Sequence, residues 1–112
     1  MGSPSTPLPT RRIGDGPDAL DVSVVGLGCN NFGWRLDLDG TREVLDAALA
    51  AGITLLDTAD VYGGAGGCEK LMGEVLDGRR DEFVVTTKFG MDMGQDAGAP
   101  DVPRGSRDYI RW

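Results

Sequence analysis

Residues 53–62 read ITLLDTADVY, and this segment decides how the rest of the chain folds. It begins as a short run of apolar and β-branched residues, which is typical of a buried β-strand. It turns polar at Asp57 and ends at Tyr62, in front of a glycine pair. In α/β proteins the functional side chains stand at the carboxyl ends of such strands. A Lys at the end of the next apolar run, Lys88, is therefore of equal interest.

Three apolar segments end at evenly spaced positions along the chain. The sequence predicts strands over Val22–Gly28, with Val24 and Val25 as its buried pair, over Ile53–Thr58 and over Phe83–Thr87. These segments lead to Gly28, Thr58 and Lys88, which lie 30 residues apart, about the length of one strand–helix–strand unit. A helix between successive strands predicts parallel strands with right-handed crossovers, so that all three ends face one rim.

Two helices are predicted in the crossovers, because their apolar residues recur at helical spacing. The first runs over residues 40–51 with Asp39 as its amino-terminal cap, and Gly52 ends it. The second runs over residues 68–77. Ser106 is expected to cap a third helix that runs through Asp108, Tyr109 and Ile110.

The predicted organisation is one domain over residues 10–112, preceded by a disordered tail over residues 1–9 that is rich in Pro, Ser and Thr. A turn signal at residues 15–17 predicts a small hairpin before the first strand. The chain of 112 residues is long enough for one domain only.

Composition excludes several classes of function. The formal net charge is −7 and the 11 Lys and Arg residues do not cluster, which argues against nucleic acid and against an anionic membrane surface as partners. No uncharged apolar run approaches the length of a membrane span. The two cysteines, Cys29 and Cys68, have no metal-site spacing and are too few for a secreted disulfide scaffold, which favours a cytoplasmic setting. The absence of His excludes His-based metal sites and Ser–His catalysis among these residues, and no metal site is predicted.

The rim gathers Gly28, Cys29, Asp57, Tyr62 and Lys88. A phenol with a pKa near 10 exchanges protons poorly at pH 7, but an adjacent ammonium favours its phenolate form. Lys88 can supply that charge, and Asp57 can hold Lys88 in place. Such a trio suits proton transfer to the alkoxide that develops when a carbonyl is reduced, with the hydride supplied by a cofactor. Taken singly, the three have ordinary explanations as a turn cap, a loop aromatic and a solvated strand end, but their joint placement favours chemistry.

At these residues the sequence resembles the aldo-keto reductases. The segments that carry the resemblance are Gly26-Leu27-Gly28 with Phe32-Gly33, the DTADVYG motif at 57–63, the EKLMGEVL helix at 69–76, and TTKFG at 86–90. Together they cover nearly all of the chain from Arg11 onward. Cys29 departs from the familiar Thr after the loop glycine, and Cys68 replaces a familiar Ser.

The resemblance implies a fold class and a reaction. It implies the amino-terminal part of a (β/α)8 TIM barrel, with about three parallel strands and two complete helices, in an enzyme that reduces aldehydes or ketones with NADPH or runs the reverse oxidation. Asp57, Tyr62 as proton donor and Lys88 carry over from the catalytic tetrad. The nicotinamide end of the cofactor is expected against Gly28, Cys29 and Asn30, near Asp57.

The resemblance also implies what these 112 residues do not contain. The tetrad His and the residues that bind the cofactor phosphates belong to later strands, and a closed barrel needs around 250 residues. We therefore expect the short chain alone to have negligible activity. Its open sheet edges favour self-association.

Two alternatives remain open. One is a non-catalytic binding or regulatory subunit with the same fold, or an inactive truncated product. The other is a Rossmann dehydrogenase, because Gly26-Leu27-Gly28 begins like a dinucleotide-binding motif. However, Asn31 stands where the third Gly belongs, and the following helix starts late.

Overall fold

The computed structural model describes residues 8–94 and 102–111. The strands are β1 (Thr10–Ile13), β2 (Leu20–Ser23), β3 (Gly26–Gly28), β4 (Leu55–Asp57) and β5 (Val84–Thr86). The helices are α1 (Leu38–Ala50), α2 (Gly67–Val75) and α3 (Arg107–Arg111), with two short 3-10 turns at Gly16–Asp18 and Arg80–Glu82.

The strands form two separate sheets. β1 and β2 form an antiparallel hairpin, and β3, β4 and β5 form a parallel sheet in that order, with β4 in the centre. In this sheet Gly28 lies opposite Asp57, and Asp57 lies opposite Thr86. The parallel sheet, the two crossover helices and the preceding hairpin confirm the predicted architecture, a partial α/β barrel. The carboxyl ends of all three parallel strands meet at one rim.

A single apolar cluster lies between the sheet and the two crossover helices. Its fully buried members include Leu45 of α1, Leu56 of β4 and Cys68 of α2. Phe32, from the loop after β3, is also buried in it. Burial of these side chains is the main favourable term that holds the helices against the strands. The residues that follow β3 and β4 at the rim are therefore supported by the packing of this apolar cluster.

The prediction of one continuous strand over Val22–Gly28 is wrong. The chain leaves the hairpin at Ser23 and enters the parallel sheet at Gly26. Val24 and Val25 lie between the two sheets and are 44% and 45% exposed, so they are not the buried pair. Ser23 is the cause, because its buried hydroxyl donates to the carbonyl of Val25 at 2.6 Å and accepts from the amide of Thr54 at 2.9 Å.

The predicted start of α1 is also wrong by two residues. Asp37 is the cap, and its carboxylate accepts a hydrogen bond from the amide of Gly40 at 2.9 Å. Asp39, the predicted cap, lies in the first turn instead. Leu38 packs against the core cluster, so the helix begins early enough to place it there.

The other predicted elements are found within two residues of their expected ends. Ser106 caps α3 as predicted, since its hydroxyl accepts from the amide of Tyr109 at 3.2 Å. Most of the predicted tail lies outside the described residues. At the tail's end, the carbonyl of Pro9 accepts from the amide of Val24 at 3.0 Å. None of the helices in the described part of the chain has the length and apolar character that crossing a membrane requires.

Candidate functional site

Asp57 and Lys88 form an ion pair at the rim. Asp57 is the last residue of β4, and Lys88 follows β5 by two residues. The ammonium Nζ lies 3.0 Å from Oδ1 of Asp57 and donates a second hydrogen bond of 2.9 Å to the carbonyl of Thr58. About half of each side chain is exposed, 52% for Asp57 and 51% for Lys88. The pair is therefore open to a ligand, and its ammonium is tied at two points.

Backbone hydrogen bonds fix the main-chain positions of Asp57 and Lys88 relative to each other. The amide of Thr58 donates to the carbonyl of Thr86 at 2.9 Å, and the amide of Asp60 donates to the carbonyl of Lys88 at 3.0 Å. The pairing of β4 with β5 thus continues past both strand ends. Asp57 and Lys88 consequently stand side by side on a backbone that is hydrogen-bonded on both sides of them.

The hydrogen bonds at the rim shift the pKa values of Asp57 and Lys88 in opposite directions. The bond from Lys88 and then the bond from Thr86 lower the pKa of the Asp57 carboxyl. The bond to Asp57 in turn raises the pKa of the Lys88 ammonium, and Tyr62 adds to this effect. Hydrogen bonds and opposite charge both favour the ionised forms. The pair therefore remains charged across the physiological range.

Tyr62 lies beside the ammonium. The Nζ atom of Lys88 is 5.5 Å from the centroid of the Tyr62 ring. The ring is partly buried and packs against the core cluster. Tyr62 also accepts, through its carbonyl, a 3.0 Å hydrogen bond from the amide of Cys68 at the start of α2. The structure thus brings together the three residues that the sequence selected for chemistry.

The loop after β4 packs directly on the loop after β3. Gly63 has a φ of +71°, and an added Cβ would lie 2.5 Å from the amide nitrogen of Cys68 and 2.9 Å from the carbonyl oxygen of Phe32. On the other loop, a Cβ added to Gly33 would lie 3.1 Å from the backbone of Gly67. Glycine at both positions permits this backbone contact. The contact fixes the position of Tyr62, which immediately precedes Gly63.

A cleft of about 540 Å³ opens next to Tyr62. Its lining includes Asn30 and Trp34 from the loop after β3, and Val61 and Tyr62 from the loop after β4. The Trp34 side chain is 66% exposed, and the guanidinium of Arg35 stacks over its ring at 4.4 Å. The cleft therefore offers an aromatic wall and an amide side chain beside Tyr62.

The residues expected to touch a cofactor differ in what they offer. Gly28 is exposed, with open space where a Cβ would stand, and Asn30 is exposed at the cleft. Cys29 is fully buried, and its amide donates to the carbonyl of Asp57 at 2.9 Å. Its carbonyl accepts from the thiol of Cys68. Contact with a ligand is thus open to Gly28, Asn30 and Asp57, whereas the thiol of Cys29 packs in the core.

Thr86 is a site residue that the sequence reasoning missed. Its hydroxyl donates to Oδ1 of Asp57 at 3.0 Å, the same oxygen that binds Lys88. The only signal in the sequence is the pair of Thr residues, Thr86 and Thr87, directly before Lys88.

Within the described residues, no group of three or more metal-binding side chains is present.

The sequence of this chain is similar to those of known proteins. The model of the Aldo/keto reductase family matches residues 24–111. The chain is 35% identical over 112 aligned positions to the aldo-keto reductase str7 of Strobilurus tenacellus, covering 94% of this chain and 30% of that protein. It is 39% identical over 75 positions to the uncharacterized oxidoreductase YqkF of Bacillus subtilis, covering 67% and 24%.

A solved structure is also similar. The aldo-keto reductase AKR11C1 of Bacillus halodurans, in its holo form, superimposes with a TM-score of 0.72 at 33% identity, covering 93% of this chain and 33% of that one. The chain thus spans between about a quarter and a third of the length of these relatives.

Proposed function

This chain belongs to the aldo/keto reductase family, and from this premise we propose that it supplies the catalytic rim of an enzyme that reduces aldehydes or ketones with NADPH or oxidises the corresponding alcohols. The observation that carries the proposal is the ion pair of Asp57 and Lys88, 3.0 Å apart, beside the ring of Tyr62. These three residues stand at the carboxyl ends of neighbouring parallel strands, where barrel enzymes place their chemistry.

Tyr62 is the proposed proton donor. As a carbonyl is reduced, negative charge develops on its oxygen, and the phenol hydroxyl of Tyr62 gives its proton to that oxygen. The positive charge of Lys88, 5.5 Å from the ring centroid, stabilises the negative charge left on the phenol oxygen. Asp57 holds the ammonium in place. In the reverse direction the phenolate takes the proton of the alcohol.

The exposed residues at the rim fit the nicotinamide end of the proposed cofactor. Asn30 and Asp57 provide polar atoms, Trp34 provides a flat apolar surface, and the missing side chain of Gly28 leaves room beside them. NADPH, when bound, supplies the hydride that no side chain can deliver. Within the proposal, Gly28, Asn30 and Asp57 orient that end of the cofactor against Tyr62, and Cys29 supports them from the core.

These residues are one part of the proposed enzyme. The chain contains no His, so the fourth member of the tetrad that the family resemblance implies is not among them. β3 and β5 also have one unpaired edge each within the described sheet. The proposal therefore assigns activity to the native-length polypeptide, by which we mean the protein as its source produces it. It assigns negligible activity to the 112-residue chain alone.

The test compares two Tyr variants of the native-length polypeptide. Tyr62→Phe removes the proposed proton donor, and we expect NADPH oxidation with 4-nitrobenzaldehyde to fall by roughly 100-fold or more. Tyr109→Phe is the matched control, because Tyr109 is a buried Tyr on α3, outside the rim. Its activity should equal that of the unaltered protein.

Equal loss in both variants, or full activity of Tyr62→Phe, would contradict the role of Tyr62. A native-length protein that binds NADPH but does not oxidise it in the presence of any carbonyl compound would instead favour the non-catalytic subunit. The intact mass of the native protein belongs to the same experiment. A mass near 11.8 kDa would make the short chain itself the product and would argue for the inactive form.

A further inference from the structure

We infer that Thr86 is a positioning residue, which holds the carboxylate of Asp57 in the orientation in which that carboxylate binds Lys88. The Thr86 hydroxyl lies 3.0 Å from Oδ1 of Asp57, and the Lys88 ammonium lies 3.0 Å from the same oxygen. The catalytic consequence rests on the proposed function, whereas the structural part does not. The register of β4 and β5 creates the contact, since Asp57 and Thr86 are direct partners.

The hydroxyl of Thr86 has two acceptors within reach. Besides Oδ1 of Asp57 at 3.0 Å, the carbonyl oxygen of Leu56 lies 3.3 Å away. A hydroxyl carries one hydrogen, so it donates fully to one acceptor only. The carboxylate is the nearer of the two, and a charged acceptor makes the stronger hydrogen bond. The hydrogen of Thr86 is therefore directed at Asp57 rather than at the carbonyl of Leu56.

Lys88 alone does not fix the orientation of Asp57. Each of the two side chains is about half exposed, and an ion pair between exposed groups contributes little free energy by itself. Lys88 has an anchor of its own, the carbonyl of Thr58 at 2.9 Å. Thr86 supplies the corresponding anchor for Asp57. With both partners anchored separately, the ammonium stays in one place relative to the ring of Tyr62.

The side chain of Thr86 is suited to this task. It is partly buried, and its β-branch restricts rotation about χ1, so the hydroxyl has a defined direction. The next residue, Thr87, points to the opposite side of the strand end and donates to Oε1 of Glu69 at 2.5 Å. The chain thus contains two adjacent Thr side chains that each bind one carboxylate, and only Thr86 binds that of Asp57.

Three variants of the native-length polypeptide test the inference. Thr86→Val keeps the shape and the β-branch and removes the hydroxyl. Thr86→Ser restores the hydroxyl. Thr87→Val is the matched control, because it removes an equivalent hydrogen bond to Glu69. The Asp57 carboxyl is titrated by 13C NMR, with Asp57→Asn for assignment, and kcat and KM for carbonyl reduction are measured across pH.

In Thr86→Val we expect the pKa of Asp57 to rise towards its ordinary value, because a hydrogen bond to the ionised form is lost. We expect kcat to fall by roughly 3- to 10-fold, which is modest because water reaches the half-exposed carboxylate, with KM nearly unchanged. Thr86→Ser should restore both quantities, and Thr87→Val should alter neither.

Two results would overturn the inference. One is an Asp57 titration in Thr86→Val that is the same as in Thr87→Val, and the other is a failure of Thr86→Ser to restore it. An unaltered protein that reduces no carbonyl would refute the proposed function instead. The NMR comparison would still decide whether Thr86 holds Asp57.

Discussion

Replacement of Gly63 by Ala is the most direct test of how the fold places Tyr62. Gly63 has a φ of +71°, and its added Cβ would lie 2.5 Å from the amide nitrogen of Cys68. That amide donates the hydrogen bond that ties Tyr62 to the start of α2. The atoms in the way belong to the backbone at the start of α2 and at Phe32 in the loop after β3, so no side-chain rotation relieves the contact.

The cost has two parts, and a neighbouring glycine separates them. A left-handed φ costs a residue with a Cβ about 1–2 kcal/mol. Gly64 has a φ of +73° and nothing within 4 Å of an added Cβ, so Gly64→Ala has this cost alone. Gly63→Ala has in addition the cost of overpacking, about 1–3 kcal/mol. We therefore expect Gly63→Ala to lower the free energy of unfolding by about 1–3 kcal/mol more than Gly64→Ala does.

The assay is urea unfolding of both variants and of the unaltered native-length polypeptide, followed by circular dichroism. Carbonyl-dependent NADPH oxidation is measured on the same samples below the unfolding transition. Folded Gly63→Ala should lose more activity than Gly64→Ala, because relief of the contact has to displace the backbone next to Tyr62 and so alter the position of its ring relative to Lys88. Equal free energies of unfolding for the two variants, within about 0.5 kcal/mol, would refute the reasoning that this close contact fixes Tyr62.

Two further predictions concern the helix start and the core thiols. Asp37→Ala should lower the free energy of unfolding by about 1 kcal/mol, because Asp37 caps α1. Asp39→Ala should lower it by less than half as much. A larger effect at Asp39 than at Asp37 in urea unfolding would show that Asp39 is the cap after all. Burial raises the pKa of the Cys29 thiol to about 12 and also raises the pKa of the Cys68 thiol. Neither should react with iodoacetamide at pH 8 until the protein is unfolded, and peptide mass spectrometry that finds either one alkylated in the folded protein would contradict that burial.

The strand ends and the rim could be predicted from the sequence because they depend on regular spacing. The predicted positions 28, 58 and 88 repeat at the length of one strand–helix–strand unit, and the observed strands end within two residues of them, at Gly28, Asp57 and Thr86. Parallel crossovers bring such ends together whatever the details of each strand. The spacing therefore predicts that Asp57 and Lys88 share one rim, and in the structure their charged atoms lie 3.0 Å apart. Their catalytic role stays a prediction.

The first strand could not be predicted correctly, because an apolar run does not show where a chain changes sheets. Val24 and Val25 have strong β-propensity, yet they bridge the hairpin and the parallel sheet and are nearly half exposed. The decisive residue is Ser23, whose buried hydroxyl binds the backbone of two segments. A single polar residue at an apolar position was the available signal, and its partner at Thr54 lies 31 residues away.

The role of Thr86 was hidden for a related reason, since it depends on the register of β5 against β4. Side chains alternate between the two faces of a strand, so a shift of one residue exchanges the faces of Thr86 and Thr87. The sequence contains both Thr residues but does not state which one faces Asp57. In the structure the answer comes from the pairing of Asp57 with Thr86. The same register sets the distance from Lys88 to the carbonyl of Thr58, so one backbone alignment determines both anchors of the ion pair. A mutation that shifts this register should therefore disrupt the site even if it replaces none of its side chains.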